Sequence, residues 1–259
     1  MSVLAPLRGG LRLLFILTVM SLLAAVLAVT GLALIAFPAS SRRARAALVT
    51  ASARAVLRPL GVRLHVDGPA PDPPFMLVCN HLGYMDILVL RAATGTEFIS
   101  KAEIARWPVI GGLARLTGTL FLDRSNKREL MRINTLVADV LARQRGLTVF
   151  PEGTSTAGAQ VERFHSGLLA YPSVTGFPVH AATLRYTTPP GIDTAHTVCW
   201  WGSMTFLDHL YHLLSIPHFD AWLSFDPNPV QAENRKALTA RLHERVSAAF
   251  EPIHGAPTE

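Results

Sequence analysis

Leu13 to Phe37 is a run of 25 residues without one charge, interrupted only by Thr18, Ser21, Thr30 and Gly31. At ~1.5 Å rise per residue a helix of that length reaches about 37 Å, enough for the ~30 Å hydrocarbon core of a bilayer with some tilt. A cleaved leader is the competing reading, because Phe37-Pro38-Ala39-Ser40 is faintly cleavage-like. A leader's apolar stretch runs only about 7–15 residues, so a retained membrane helix is predicted. Arg8 and Arg12 precede the run, whereas Arg42, Arg43, Arg45, Arg54 and Arg58 follow it. The excess of arginine puts the C-terminal side in the cytoplasm. Ser41 to Leu60 reads as a second, amphipathic helix with Arg43, Arg54 and Arg58 on one side and Leu48, Val49 and Val56 on the other. Such a helix suits the headgroup plane, or serves as a solvated connector.

Composition points the same way. Charged residues are 16% of the chain and hydrophobic ones 50%, against a usual charged share of about 25%. That excludes a disordered chain, a coiled coil and an ordinary highly charged soluble domain. With 24 Lys+Arg against 18 Asp+Glu, the net charge is +6. A basic, apolar chain suits an anionic membrane surface or phosphate-bearing substrates. It has no basic stripe with interleaved aromatics, so no nucleic-acid partner is expected. Cys79 and Cys199 are far apart and outside any C-x-x-C, which encodes neither a disulfide scaffold nor a zinc site and fits a reducing cytosol.

From Val62 the pattern changes to short apolar runs between helical stretches. Val62–Val66, Phe75–Cys79, Glu97–Ser100, Thr119–Leu122, Leu147–Phe150, Val179–Tyr186 and Thr197–Trp201 read as strands. Ile87–Ala93, Lys127–Arg145 (stopped by Gly146) and Asn234–Phe250 read as helices. This alternation predicts an α/β fold, a mixed and largely parallel sheet flanked by helices. Residues 1–60 form the N-terminal membrane helix plus amphipathic helix, and 61–259 the catalytic domain.

In such sheets chemistry gathers in the loops after the carboxyl ends of strands. Two loops carry reactive groups: Asn80-His81-Leu82-Gly83-Tyr84-Met85-Asp86 and Phe150-Pro151-Glu152-Gly153-Thr154-Ser155-Thr156. On one continuous helix His81 and Asp86 would stand about 140° apart and could not meet. If the chain turns at Gly83 and a helix starts near Asp86, the carboxylate can return to the imidazole. It would then fix the tautomer and leave the other ring nitrogen free as a base. No G-x-S-x-G nucleophile elbow accompanies the pair, so the proton would come from a substrate hydroxyl. An H-x4-D pattern by itself is equally a turn-capping histidine beside a helix-initial aspartate.

The pattern has company. The NHLGYMD loop, Gly118–Arg124, the FPEGT loop and Phe177-Pro178-Val179-His180 follow one another in an order that resembles the four sequence blocks of the glycerolipid acyltransferase superfamily, the lysophosphatidic acid acyltransferases among them. The resemblance covers roughly Phe75 to Tyr186. It implies that His81 is the base that deprotonates the acceptor hydroxyl, with Asp86 as its orienting partner and Asn80 beside them. It implies acceptor contacts from Asn80, Arg124 (to the phosphate), Glu152, Gly153 and Thr154. It further implies an acyl-CoA or acyl-carrier protein donor, a lysophospholipid acceptor, membrane lipids as surroundings, and no cofactor or metal. In related enzymes an N-terminal helical pair lies in one leaflet, which competes with a spanning Leu13–Phe37. A bacterial inner-membrane location with a cytoplasmic catalytic domain follows.

Two departures bear on the acceptor. The family's third block usually continues FPEGT-Arg-Ser, but Ser155 follows Thr154 here, which weakens the case for a phosphomonoester. The fourth block is usually V-P-V-x-P-V, but here Val179 is followed by His180-Ala181-Ala182. Phe164–Leu169 and Trp200–Phe206 are similar to the bacterial lyso-ornithine lipid acyltransferases, so that acceptor stays open. The tetrahedral intermediate needs hydrogen-bond donors, for which amides near Gly83 or Gly153 are candidates. His209-x-x-His212 reads as part of a packed helix rather than a metal site, and the aromatics around Trp200 suit either a membrane interface or a core. A non-catalytic lipid-binding protein with the same fold is the rival class.

Overall fold

The computed structural model describes residues 4–36, 38–108, 110–123 and 127–257. Two helices open the chain, α1 (Leu4–Ala36) and α2 (Pro38–Leu57). Then follow β1 (Val62–Asp67), β2 (Phe75–Cys79), α3 (Met85–Thr94), β3 (Glu97–Lys101), α4 (Ile110–Leu116), β4 (Leu120–Leu122), α5 (Lys127–Ala142) and β5 (Gly146–Val149). The rest comprises α6 (Ala170–Thr175), β6 (Val179–Thr187), α7 (Thr194–Thr197), α8 (Phe206–Ser215), β7 (Phe219–Phe225) and α9 (Arg235–Ala249). The sheet order is β1-β7-β6-β2-β5-β3-β4. Neighbours are parallel except the antiparallel β6–β7 pair, so the mixed, largely parallel sheet is as expected.

Side-chain alternation along the strands divides the core in two. Phe75, Leu77 and Cys79 of β2, with Leu184 and Tyr186 of β6, pack against Leu57 of α2, Met85, Val89 and Leu90 of α3 and Leu213 of α8. Met76 and Val78 face the other way, onto Val137 and Leu141 of α5 and Leu238, Leu242 and Val246 of α9. Because both faces are covered, β2 and β5 read as unbroken apolar runs. Every residue of β2 is fully buried, each worth roughly 1.5–3 kcal/mol. Gly146 does not stop α5 as expected. It begins β5 opposite Phe75, where a Cβ would lie 2.1 Å from the Phe75 ring, and Gln144 takes the left-handed turn at φ 57° instead.

Three further boundaries differ from the sequence reading. Thr197–Trp201 is not a strand: Asp193 caps α7 through the His196 amide, and the chain then runs irregularly past the loops after β2 and β5. The strand that completes this side is β7, whose alternate residues Phe219, Ala221, Leu223 and Phe225 are buried. The amphipathic helix starts earlier, at Pro38, and its buried Ala53 and Leu57 pack on the body instead of facing lipid.

The apolar run falls almost wholly within α1, whose segment Leu4–Val26 is long and apolar enough to cross a membrane; Phe37 lies outside the described residues. Arg8 and Arg12 are not simple flanking charges. Arg8 donates to the Ser215 carbonyl at 2.9 Å. Arg12 donates to the carbonyls of Pro59, Leu214, Ile216 and Pro217 at 2.6–3.1 Å. The start of α1 is thereby fastened to the end of α8, where helix carbonyls lack partners of their own. Arg54 of α2 does the same at the end of α3, donating to Ala92 at 2.7 Å.

Candidate active site

At the carboxyl end of β2 the chain turns through Gly83 and α3 starts at Met85, which returns Asp86 to the histidine. His81 Nδ1 is 2.7 Å from Asp86 Oδ2, and that same oxygen accepts the amides of Leu82 (2.7 Å) and Gly83 (3.0 Å). Oδ1 accepts the Tyr186 hydroxyl at 2.7 Å. Asp86 is fully buried, and these donors compensate its desolvation. A carboxylate on Nδ1 makes that nitrogen the N–H and gives Nε2 the lone pair. The imidazole lies flat on Phe150, with centroids 4.1 Å apart and planes 12° apart. Its side chain is 20% exposed, which leaves it open to a substrate.

The loop after β5 lies against the first. Glu152 Oε1 accepts the His81 amide at 2.6 Å and Oε2 the Glu162 amide at 2.8 Å. The Thr156 amide donates to the His81 carbonyl at 3.0 Å. Glu152 is buried, and that burial pushes its carboxyl up to about 8, against the two N–H bonds that pull it down. Gly153 occupies a left-handed turn at φ 83°, its amide donating to Phe150, and Thr154 is the exposed residue of the loop.

A third segment clasps both loops. The Trp200 amide donates to Leu82 at 2.8 Å, and the Ser155 hydroxyl donates to the Trp200 carbonyl. Gly83 is required there, because a Cβ would come 2.9 Å from the Trp200 nitrogen. Tyr84, Trp107, Trp200 and Phe206 form an aromatic cluster beside this clasp.

The family profile described as Acyltransferase matches residues 61–184. A lyso-ornithine lipid O-acyltransferase of Pseudomonas aeruginosa is 33% identical over 74% of this chain and 73% of its own length. The chain belongs to the acyltransferase family. Another relative, a lyso-ornithine lipid O-acyltransferase of Rhodobacter capsulatus, is 39% identical over 61% of this chain, a match that spans 58% of that protein. A 1-acyl-sn-glycerol-3-phosphate acyltransferase of Neisseria meningitidis is 29% identical over 75% of this chain and 77% of its length. The crystal structure of the 1-acyl-sn-glycerophosphate (LPA) acyltransferase of Thermotoga maritima has the same fold, with a TM-score of 0.59 at 18% identity over 96% of this chain and all of that one.

Within this acyltransferase fold the residues expected at the site divide into groups. His81 and Asp86 meet. Asn80 turns inward: its Nδ2 donates to the Leu184 carbonyl at 2.9 Å and its Oδ1 accepts the Leu184 amide at 2.8 Å, extending the β2–β6 pairing by one side chain. An acceptor contact from Asn80 or Glu152 finds no support in this geometry, since hydrogen bonds to the protein's own backbone engage both ends of each side chain. The Gly83 and Gly153 amides, candidates for oxyanion donors, are engaged by Asp86 and Phe150. Arg124 lies outside the described residues. His209 and His212 do not converge: His209 is buried with Nδ1 2.9 Å from the Tyr84 hydroxyl, while His212 is exposed beside Asp208. Tyr186 and Trp200 both touch the first of these loops, and sequence reasoning gave neither of them that role.

Proposed function

We propose that the chain is a membrane-bound O-acyltransferase that moves a fatty acyl group from acyl-CoA or acyl-carrier protein to the free hydroxyl of a lysolipid. The observation that carries this reading is the His81–Asp86 pair: a part-exposed imidazole whose Nδ1 is held by a buried carboxylate. The acceptor hydroxyl gives its proton to His81 Nε2 as its oxygen attacks the thioester carbonyl carbon. The C–O bond forms, the oxyanion collapses, the C–S bond breaks and the thiol leaves with the proton from His81. The chemistry balances with two substrates and one base. Asn80 and Glu152 act by holding the loops, Gly153 shapes the second loop, and Thr154 and Arg124 meet the acceptor headgroup.

The first acceptor is 1-acyl-sn-glycerol-3-phosphate, which would give phosphatidic acid. A second reading, lyso-ornithine lipid, is favoured by the names of the two relatives with 39% and 33% identity and by the uncharged, buried Ser155 where the family usually has arginine. Purified protein incubated with acyl-CoA or acyl-carrier protein and each lysolipid, with products identified by mass spectrometry, tests both. Acylation of neither acceptor contradicts the proposal.

Residues 1–60 form the membrane segment and 61–259 the catalytic domain. Arginines fasten the start of α1 and α2 near its end to the body, so the pair dips into one leaflet and returns. Leu7, Leu11 and Leu14 are exposed on α1 and supply lipid-facing surface. The body lies on the cytoplasmic face of a bacterial inner membrane.

A further inference from the structure

We propose that Tyr186 is a positioning residue of the acyl transfer, setting the basicity of His81 through the hydrogen bond from its hydroxyl to Asp86 Oδ1 (2.7 Å). This rests on the reading of His81 as the base. Tyr186 lies on β6 and is buried, with no role in solvent. Its ring packs edge-on against Phe219, with centroids 5.6 Å apart, so the phenol has one direction open to it. Asp86 then divides its lone pairs: Oδ2 serves the imidazole and two amides, while Oδ1 is served by the tyrosine. Burial and the adjacent carboxylate push the Tyr186 phenol well above its ordinary value, which keeps it a donor at every working pH.

The physical consequence has a definite sign. A carboxylate that has lost one donor is a stronger base, attracts the imidazolium more and moves the His81 midpoint upward. The other ionisable groups near Asp86 come from three directions: Cys79 at the end of β2, Cys199 after α7 and Glu152 after β5. None of them is altered by the substitution.

Full-length Tyr186→Phe protein tests this in two ways. In NMR of histidine-labelled protein, with the His81 resonance assigned by its loss in His81→Ala, the midpoint should rise relative to wild type. In turnover, kcat should fall by up to about threefold at neutral pH with the lysolipid KM little changed, and the acid limb should move to higher pH. The effects of Tyr186→Phe and Asp86→Asn should be non-additive, because the tyrosine acts only through Asp86. Should Tyr186→Phe not fold, replacing tyrosine by 3-fluorotyrosine gives a more acidic phenol, a stronger donor and a midpoint moved downward. An unmoved His81 midpoint overturns the proposal. The NMR arm needs no turnover, so failure of wild type on both lysolipids would overturn the functional reading separately.

Discussion

Glu152 Oε1 accepts the His81 backbone amide at 2.6 Å, so the carboxyl that anchors the loop after β5 also anchors His81 on the loop after β2. The two loops are therefore tied together by hydrogen bonds, clasped from outside by Trp200.

The clamp titrates. Burial raises the Glu152 carboxyl to about 8. A raised value in the folded state means that the stability it contributes is complete below the unfolded value of about 4.3 and is lost as pH rises through about 8. Melting temperatures measured across about pH 5 to 8 should fall more steeply for wild type than for Glu152→Gln, which cannot ionise, and the two slopes should converge above that range. Glu97, also raised by burial, is common to both proteins and cancels in the difference. Equal slopes would place the titration elsewhere.

Asn80 acts through stability. In Asn80→Asp, a carboxylate oxygen would face the Leu184 carbonyl that now receives Nδ2–H, leaving a buried charge beside an unpaired acceptor. The loss should be about 2 kcal/mol or more in urea unfolding, with the acceptor KM of the folded protein unchanged. A raised KM at full stability would mean that Asn80 reaches the acceptor.

The helical pair gives a topology test. The protein should pellet with membranes and be released by detergent but not by high salt. In Leu4→Cys and Glu251→Cys, an impermeant thiol reagent should label both from the cytoplasmic side, against a low background because Cys79 and Cys199 are buried. Labelling of Leu4→Cys only from the opposite side would show a spanning α1.

Much of the fold was legible because burial on both faces writes itself as continuous apolar runs, as in Phe75–Cys79 and Leu147–Val149. Thr197–Trp201 misled for the same reason: Val198 and Cys199 are buried, but beneath the loops and not in the sheet. In the site, the His81–Asp86 contact was legible from a turn within five residues. Tyr186 was not, since it reaches Asp86 from 100 residues away. The alternation along β6 places it on the face of Ala182 and Leu184 but says nothing of which loop covers that face. Asn80 and Glu152 were assigned to the acceptor because the motif marks them. The structure gives the physical reason they are there: two buried polar side chains satisfied by backbone, joining β2 to β6 and one loop to the next.

The most direct test of the account is the acyl-transfer rate of His81→Ala with acyl-CoA and each lysolipid, measured beside its melting temperature. The imidazole is part-exposed and its loss leaves the Glu152 clamp on the backbone amide intact, so the fold should persist. The account predicts that kcat falls by about 10²–10⁴-fold, the usual worth of a general base. Turnover at the wild-type rate in a folded His81→Ala protein would contradict it.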